Sequence, residues 1–310
     1  MYTISGGGVF SNTNINQINS NFSELSGASA GSATGLSVWV RPQNGNNSYP
    51  GTYDQPFASI TGASSVLQSG MTVYVEGVLF ENYTAPVGVN NVSIVGVQNI
   101  PRQATSGGAA NGGGATWLPA SGGTTALLTV QGQGWTVANM YFNNSATAAP
   151  CIDLITVGDP PAEADAAHFL LYNCILTGAD NGLDATDGTN FVRIIDCTFL
   201  NFSGSGDIAI NAAQSIGTLL DWRIEGCKFF NNAANMIAAL SHATITGCVF
   251  EAGSASTINL TGGTAPNYVV GNYFNIAADD YDPAGGVTGV TGDVWSNTLT
   301  NEIQTGLPAN

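Results

Sequence analysis

A short pattern of apolar and polar positions recurs along the second half of the chain. It consists of an aliphatic residue, two variable residues, a cysteine or asparagine, one variable residue, and then Phe or Leu. The copies begin at Leu171, Ile194, Ile224, Ile245, Val269 and Val294, with a looser copy at Val137. Successive copies start 21 to 34 residues apart. A strand-like repeat of this period predicts a solenoid in which each repeat forms one coil.

Each copy predicts two strands joined by a bend. Alternate side chains of a strand share a face, so the first, fourth and sixth positions cannot all point inward along one straight strand. The third position carries residues that accept the backbone of a corner. These residues are Asn173, Asp196, Gly226, Gly247 and Gly271. A third strand follows in most coils, at 208–210, 236–238 and 258–260. Three strands per coil predict an all-β, triangular parallel solenoid.

Stacking of the coils predicts ladders of like side chains. The first positions form an aliphatic ladder from Leu171 to Val294, and the sixth positions form a largely aromatic ladder from Leu176 to Leu299. The fourth positions place four cysteines in one slot of successive coils. Disulfides require an oxidant, and the chain has an odd count of five cysteines without close pairs. Free, buried thiols that act as small apolar residues are therefore predicted.

The segment before the repeat carries more specific motifs. They are Val38-Trp39-Val40, Asn44-Gly45-Asn46, Pro50-Gly51-Thr52, Gln55-Pro56-Phe57-Ala58-Ser59-Ile60 and Thr72-Val73-Tyr74-Val75-Glu76-Gly77. Together they resemble the opening of right-handed parallel β-helix proteins of the pectate-lyase-like superfamily, and the resemblance covers roughly residues 36–300. It implies a short helix, at Pro56–Leu67, that caps the first coil. The resemblance indicates fold and not activity, because this fold hosts lyases, hydrolases and inert surface proteins.

Residues 15–25 carry a separate signal. Their apolar residues are Ile15, Ile18, Phe22 and Leu25, which form a narrow heptad seam. Eleven residues are too few for a helix that is stable alone. The predicted short N-terminal helix must pack either on copies of itself, with three strands favoured, or across the end of its own domain. This segment resembles one found near the N-terminus of many phage tail-fibre, tail-spike and other virion surface proteins.

The chain divides into an N-terminal arm with an attachment or trimerisation helix, residues 1–35, and a parallel β-helix domain, residues 36–310. The Gly-rich residues 1–10 predict a flexible arm. The polar tail at 300–310 predicts only a weak cap, so a partner chain is expected to cover that end of the solenoid.

The net charge of -16 argues against two classes of partner. Nucleic acids and anionic membrane surfaces are bound through Lys and Arg, of which the chain has five. Adaptation to a saline medium explains the acidity equally well. The sequence shows no signal peptide and no long apolar span, so synthesis and assembly in the host cytoplasm are expected.

Candidate chemistry is sparse. Arg193 and Arg223 precede core residues of aligned coils, which predicts that they stack on the outer face close to Glu225. Surface ion pairing is the favoured explanation for these three residues, with contact to a glycan or another surface as the functional alternative. The phase of its strand predicts that Trp295 points outward as a sugar platform. The loop with Asp180, Asp184 and Asp187 is a weaker candidate for a cation, because its spacing matches no dedicated motif. No catalytic residue, metal or cofactor is assigned.

Two hypotheses from different classes remain. The first is a structural protein of a phage virion surface, a homotrimer that binds the major capsid protein or tail components. Within it, a capsid decoration (cement) protein is favoured over a tail spike, because the predicted anchor is short. The rival is an enzyme that cleaves host surface glycans, with Arg193, Arg223, Glu225 and the Asp180–Asp187 loop lining one groove. The balance is against an enzyme.

Overall fold

The computed structural model describes most of the repeat region in full. Full description covers residues 37–97, 114–155, 165–178, 180–185, 189–202, 204, 206–212, 221–232, 237–238, 240, 242–251, 258, 260 and 266–273. The backbone alone is described for 3–4, 8–9, 156–157, 164, 259, 274–275, 287–288, 294–296 and 303–305. The predicted seam of Ile15, Ile18, Phe22 and Leu25 lies outside these residues and stays a prediction.

The described residues form many short strands and one short helix. In chain order these are β1 (Thr3–Ile4), β2 (Gly8–Val9), β3 (Ser37–Val40), α1 (Ile60–Ala63), β4 (Thr72–Val75), β5 (Val78–Phe80), β6 (Tyr83–Thr84), β7 (Ser93–Gly96), β8 (Thr116–Leu118), β9 (Leu128–Val130), β10 (Thr136–Ala138), β11 (Tyr141–Asn144), β12 (Ile152–Leu154), β13 (Thr156–Val157), β14 (Ala164–Asp165), β15 (Leu170–Tyr172), β16 (Ile175–Gly178), β17 (Leu183–Asp184), β18 (Arg193–Ile195), β19 (Thr198–Leu200), β20 (Ile210–Asn211), β21 (Arg223–Glu225), β22 (Lys228–Phe230), β23 (Ile237–Ala238), β24 (Thr244–Thr246), β25 (Val249–Glu251), β26 (Ile258–Asn259), β27 (Tyr268–Val270), β28 (Tyr273–Asn275), β29 (Val287–Thr288), β30 (Val294–Ser296) and β31 (Ile303–Thr305).

Three parallel sheets run along the solenoid. Sheet 1 contains β3, β4, β7, β10, β15, β18, β21, β24, β27 and β30, with β31 at its end. Sheet 2 contains β5, β8, β11, β16, β19, β22, β25 and β28, and sheet 3 contains β6, β9, β12, β17, β20, β23, β26 and β29. Each strand pairs with its counterparts in the preceding and following coils. The predicted all-β, parallel β-helix fold is therefore confirmed. No helix in the described part is long and apolar enough to cross a membrane.

The register stacks like on like, as the repeat predicts. In sheet 1 the buried aliphatic ladder contains Ile94, Val137, Leu171, Ile194, Ile224, Ile245 and Val269. In sheet 2, Phe199 stacks on Phe229 and Phe229 on Phe250, with ring centroids 5.1 and 4.7 Å apart. All three rings are fully buried. Burial of each such side chain is worth roughly 1.5–3 kcal/mol in transfer terms.

Left-handed backbone occurs at all three corners of the coil, and after sheet 2 it is found at Asn201 and Asn231. The corner between sheets 1 and 2 has positive φ at Asn139, Asn173, Asp196, Gly226, Gly247 and Gly271, which confirms the predicted bend. The corner before sheet 1 has positive φ at Gly134, His168, Phe191, Asp221 and His242. The sequence analysis did not predict this second corner. Phe and His rarely adopt this conformation, which costs about 1 kcal/mol or more for an ordinary side chain.

The N-terminal edge of sheet 1 is closed by the loop that follows β3. Trp39 N–H donates to the carbonyl of Gly51, Arg41 N–H donates to the carbonyl of Phe57, and Phe57 N–H donates to the carbonyl of Trp39. These bonds occupy the polar backbone groups that an edge strand otherwise exposes. The Arg41 side chain fixes the loop, because its Nη1 donates to Tyr53 O at 3.0 Å and its guanidinium lies 3.9 Å over the Tyr53 ring. Its Nε also lies 2.6 Å from a carboxylate oxygen of Glu76, an ion pair without hydrogen-bond alignment.

The cap helix is shorter than the predicted Pro56–Leu67. Helix α1 spans only Ile60–Ala63, with Ser59 as its N-cap. The buried Glu81 carboxylate accepts hydrogen bonds from the N–H groups of Ile60 and Thr61, at 2.7 and 3.0 Å. Gly62 and the serines that follow the helix favour turns over helix, which accounts for its early end.

The structure describes one short antiparallel strand pair near each end of the chain. Strands β1 and β2 pair antiparallel, where the sequence predicts a flexible arm. Strand β31 pairs antiparallel with β30 and thereby adds a strand to the last described coil of sheet 1. Strand β31 thereby becomes the edge strand of sheet 1, and the expectation that a partner chain covers this end stays a prediction.

Replacement of Phe229 by Ala tests the aromatic ladder. The variant removes a ring that packs on both neighbours, and we expect a loss of about 3–5 kcal/mol in unfolding free energy. Guanidinium unfolding followed by circular dichroism measures it. The control is Phe80→Ala, since Phe80 is 65% exposed, and its effect should stay within about 0.5 kcal/mol. Equal losses in the two variants would show that the ladder does not contribute as described.

Candidate functional site

The outer face of sheet 1 carries the two arginines as predicted. Arg193 and Arg223 are direct partners in the register of β18 and β21, and both are exposed. Glu225 lies two residues after Arg223 on the same face, beside Ile195 and Thr246. Within the described part of the chain, no ion pair joins either arginine to Glu225; the ion pair found there is that of Arg41 and Glu76. The surface ion pairing favoured by the sequence is therefore not formed.

This face can bind an anionic or polar group, but it lacks an acid–base arrangement. Neighbouring coils lie about 4.8 Å apart, so the two guanidinium groups can reach the same ligand oxygen atoms. Tyr172 and Tyr268 stand on the same sheet and are 42% and 44% exposed.

The alignment used for Trp295 is wrong by one residue. The backbone of β30 pairs Val269 with Trp295 and Tyr268 with Val294. The repeat had aligned Val269 with Val294. The predicted outward direction of the Trp295 side chain depended on that alignment. Because this side chain lies outside the described part of the chain, its contact with a glycan stays a prediction.

Three tryptophans of the described coils point into the core and cannot serve as sugar platforms. Trp117, Trp135 and Trp222 are fully buried. Their indole N–H groups donate to the carbonyls of Glu81, Val89 and Thr189 at 2.8, 2.7 and 2.9 Å. A buried indole that is bonded to backbone in this way is part of the core.

A carboxylate cluster lies on and beside sheet 3. Asp184 pairs with Asp153 in the register of β17 and β12. Burial raises the pKa of the Asp180 carboxyl, and the charges of Asp184 and Asp207 raise it further. Asn181 Nδ2 donates to Asp184 at 2.9 Å, and Gly204 N–H donates to Asp207 at 2.6 Å. The Asp180 carboxyl thus holds its proton more tightly than an isolated aspartic acid does, and it lies close enough to Asp184 and Asp207 to feel their charges.

The cluster corrects the groove proposed from the sequence. Arg193, Arg223 and Glu225 lie on sheet 1, whereas Asp184 lies on sheet 3, so the two sets occupy different faces of the coil. Asp187 lies outside the described residues. The sequence analysis did not assign a role to Asp153 or Asp207; Asp153 lies on β12 opposite Asp184, and Asp207 lies in a loop whose length varies between repeats. In the described part, no group of three or more His, Cys, Asp or Glu residues could hold a metal ion.

All five cysteines are free and buried, which confirms the prediction from the repeat. Cys174, Cys197, Cys227 and Cys248 form the expected ladder, and each thiol donates to backbone carbonyls. Asn272 continues the ladder and bonds to Cys248 N–H and the Ile245 carbonyl, both at 2.9 Å. Burial raises the pKa of Cys151 to about 12. For Cys248, the hydrogen bond with Cys227 is the main cause of a raised pKa, and burial adds to it.

No protein-family model and no curated protein sequence matches the chain. Among solved structures, a rhamnogalacturonan lyase superposes with a TM-score of 0.47 and 14% identity, over 83% of this chain and 63% of that one. ORF18 of Geobacillus virus E2 has a TM-score of 0.40 and 12% identity, over 84% and 61%. Tailspike protein gp49 of Acinetobacter baumannii bacteriophage Fri1, a capsular polysaccharide depolymerase, has 0.32 and 9%, over 86% and 60%. The chain spans less than two thirds of each of these three structures, and we draw no conclusion about its activity from them.

The thiols are expected to be unreactive in the folded protein. All five thiols are buried, so the reagent cannot reach them, and a thiol that stays protonated is a poor nucleophile. Ellman's reagent should therefore release almost no thionitrobenzoate from the native chain, and five equivalents in guanidinium. Rapid release of one or more equivalents from the native chain would contradict the burial of the ladder.

Proposed function

We propose that the protein is a structural component of a phage virion surface, in which residues 1–35 attach the chain and the β-helix projects as a rigid body. The finer assignment is a homotrimeric capsid decoration protein that contacts the major capsid protein. Location on the tail is the alternative within this class. Support comes from the resemblance of residues 15–25 to virion surface proteins and from the way in which the β-helix begins.

The observation that carries the proposal is the closure of the first coil by its own loop. Gly51 and Phe57 provide the backbone partners of β3, and Arg41 holds that loop in place. The β-helix therefore does not need residues 1–35 to complete its N-terminal edge. The apolar seam of Ile15, Ile18, Phe22 and Leu25 is then not needed to close the β-helix. A helix of this length is not stable alone, so we expect the seam to pack on other chains.

Removal of residues 1–35 is the test of this proposal. We expect the shortened chain to keep the thermal unfolding midpoint of the full chain within a few degrees, because the core begins at Val38. The full chain should be trimeric by light scattering and should bind particles that lack this protein, and the shortened chain should do neither. Electron microscopy of labelled particles then separates the capsid from the tail.

Point variants provide the matched control. Ile18→Ser with Phe22→Ser should reproduce the deletion, whereas Asn16→Ser with Asn19→Ser should behave as the full chain does. If the deleted and full chains bind particles equally well, residues 1–35 are not the attachment segment and the proposal is wrong.

The carboxylate cluster favours a second candidate function, cleavage of a host surface polysaccharide. Asp180 would act as the general acid, because its pKa is raised, and Asp184 or Asp207 would act as base or nucleophile. Arg193, Arg223 and Glu225 would not take part in this step, because they lie on another face.

Incubation with neutral and acidic capsular polysaccharides tests this second function. If the chain is a glycosidase, reducing ends should appear, and Asp180→Asn or Asp184→Asn should lower their release at least about a hundredfold. The control is Asp54→Asn, an exposed residue of the N-terminal loop, which should retain full release. Release that is unchanged in the Asp180 and Asp184 variants would exclude this cluster as the catalytic site.

A further inference from the structure

A polar cleft of about 120 Å³ lies at the corner between sheets 1 and 2. Three successive coils line it, with Asn173 and Ile175 from the first, Asp196 and Thr198 from the second, and Gly226 and Lys228 from the third. Cys174 and Cys197, which are both buried, also line the cleft. None of these residues belongs to the carboxylate cluster or to the arginine pair described above.

The cleft exists because the residue type changes along the stacked corner positions between sheets 1 and 2. The corner position carries side chains at Asn173 and Asp196, but it is glycine in the next three coils, at Gly226, Gly247 and Gly271. The Asp196 carboxylate extends over Gly226, where an added Cβ would lie only 2.6 Å from Asp196 Oδ1. Gly226 also has a φ of 64°, which disfavours other residues. The third coil therefore leaves open the space into which Asp196 reaches.

The charged groups around the cleft are exposed and can bond to a ligand. Asp196 and Lys228 are both exposed and, among the described residues, form no ion pair with each other or with any other side chain. Asn173 is held at one end, because its Nδ2 donates to Asn139 Oδ1 at 2.8 Å. Ile175 is only 7% exposed and adds an apolar surface to one wall.

We infer that this corner cleft binds one uncharged sugar ring. A pyranose has hydroxyl groups that donate to a carboxylate and accept from an ammonium group, so it can bond to Asp196 and Lys228 together. Its C–H groups can contact the exposed edge of Ile175, since small-molecule sites combine apolar contact with a few placed polar groups. The cleft contributes one positive and one negative charge, and the whole chain carries -16. Both facts favour a neutral sugar over an acidic one. The inference does not depend on the attachment role proposed for residues 1–35.

The full chain can be tested with the methyl pyranosides of glucose, galactose, mannose and N-acetylglucosamine. Saturation-transfer NMR should detect at least one of them, and methyl glucuronide should bind more weakly than methyl glucoside. Asp196→Ala and Lys228→Ala should each lower the affinity about tenfold, because each removes a charged hydrogen-bonding group. The controls are Asp54→Ala and Phe80→Ala, which change exposed residues of the N-terminal coils away from the cleft and should bind as the parent does.

A second measurement needs no variant of the site. The methyl resonances of Ile175 should shift on addition of the bound glycoside, while those of Ile210, buried in sheet 3, should not. The inference is wrong if no glycoside binds, if the cleft variants bind as tightly as the controls, or if Ile175 does not respond. Tighter binding of the glucuronide would also overturn the assignment of a neutral sugar.

Discussion

In-register parallel stacking is the constraint on which the rest of this structure depends. With coils about 4.8 Å apart, each side chain lies directly on the residue in the same position of the next coil. The residues that stabilise this stacking most are therefore those that pack well on a like neighbour. Phe229 meets this condition between two other phenylalanine rings, and Asn231 meets it by donating to Asn201 at 2.9 Å. Like charges fail it, and the pairs Arg193–Arg223 and Asp153–Asp184 accordingly occur on outer faces, where water screens them.

The same constraint explains how much of the fold was predictable. A ladder makes the sequence periodic, so the strands and register of sheets 1 and 2 follow from the repeat between Leu171 and Val269. The ends have a neighbour on one side only, and there the prediction failed: α1 is shorter than expected, β31 was not foreseen, and Trp295 is offset by one residue. The left-handed corner at Phe191 was also missed, because its residue type gives no sign of that backbone conformation and only its place in the coil imposes it.

The candidate sites were predictable only where they follow the repeat. Arg193 and Arg223 occupy equivalent positions of adjacent coils, and the sequence placed them correctly. Asp180 and Asp207 come together through loops of different length, which no period describes. The corner cleft depends on a difference between two coils, since Asp196 is followed by Gly226. Sequence reasoning that aligns the copies emphasises what they share, and it passes over such a difference.

Departures from the ladders are therefore informative about function. Stacking accounts for a residue that matches its neighbours, but it gives no reason for one that does not. Lys228 lies between Thr198 and Val249, and Arg193 and Arg223 lie between Leu170 and Thr244. With Asp196 at the adjacent corner, these residues concentrate on the two coils that contain β18, β19, β21 and β22. The four neighbours just named, Leu170, Thr198, Thr244 and Val249, are uncharged. Packing alone would therefore favour uncharged residues at the positions of Arg193, Arg223 and Lys228 as well. Stacking therefore does not explain these four charges, and the corner cleft proposed above would give Asp196 and Lys228 a role that the fold does not require.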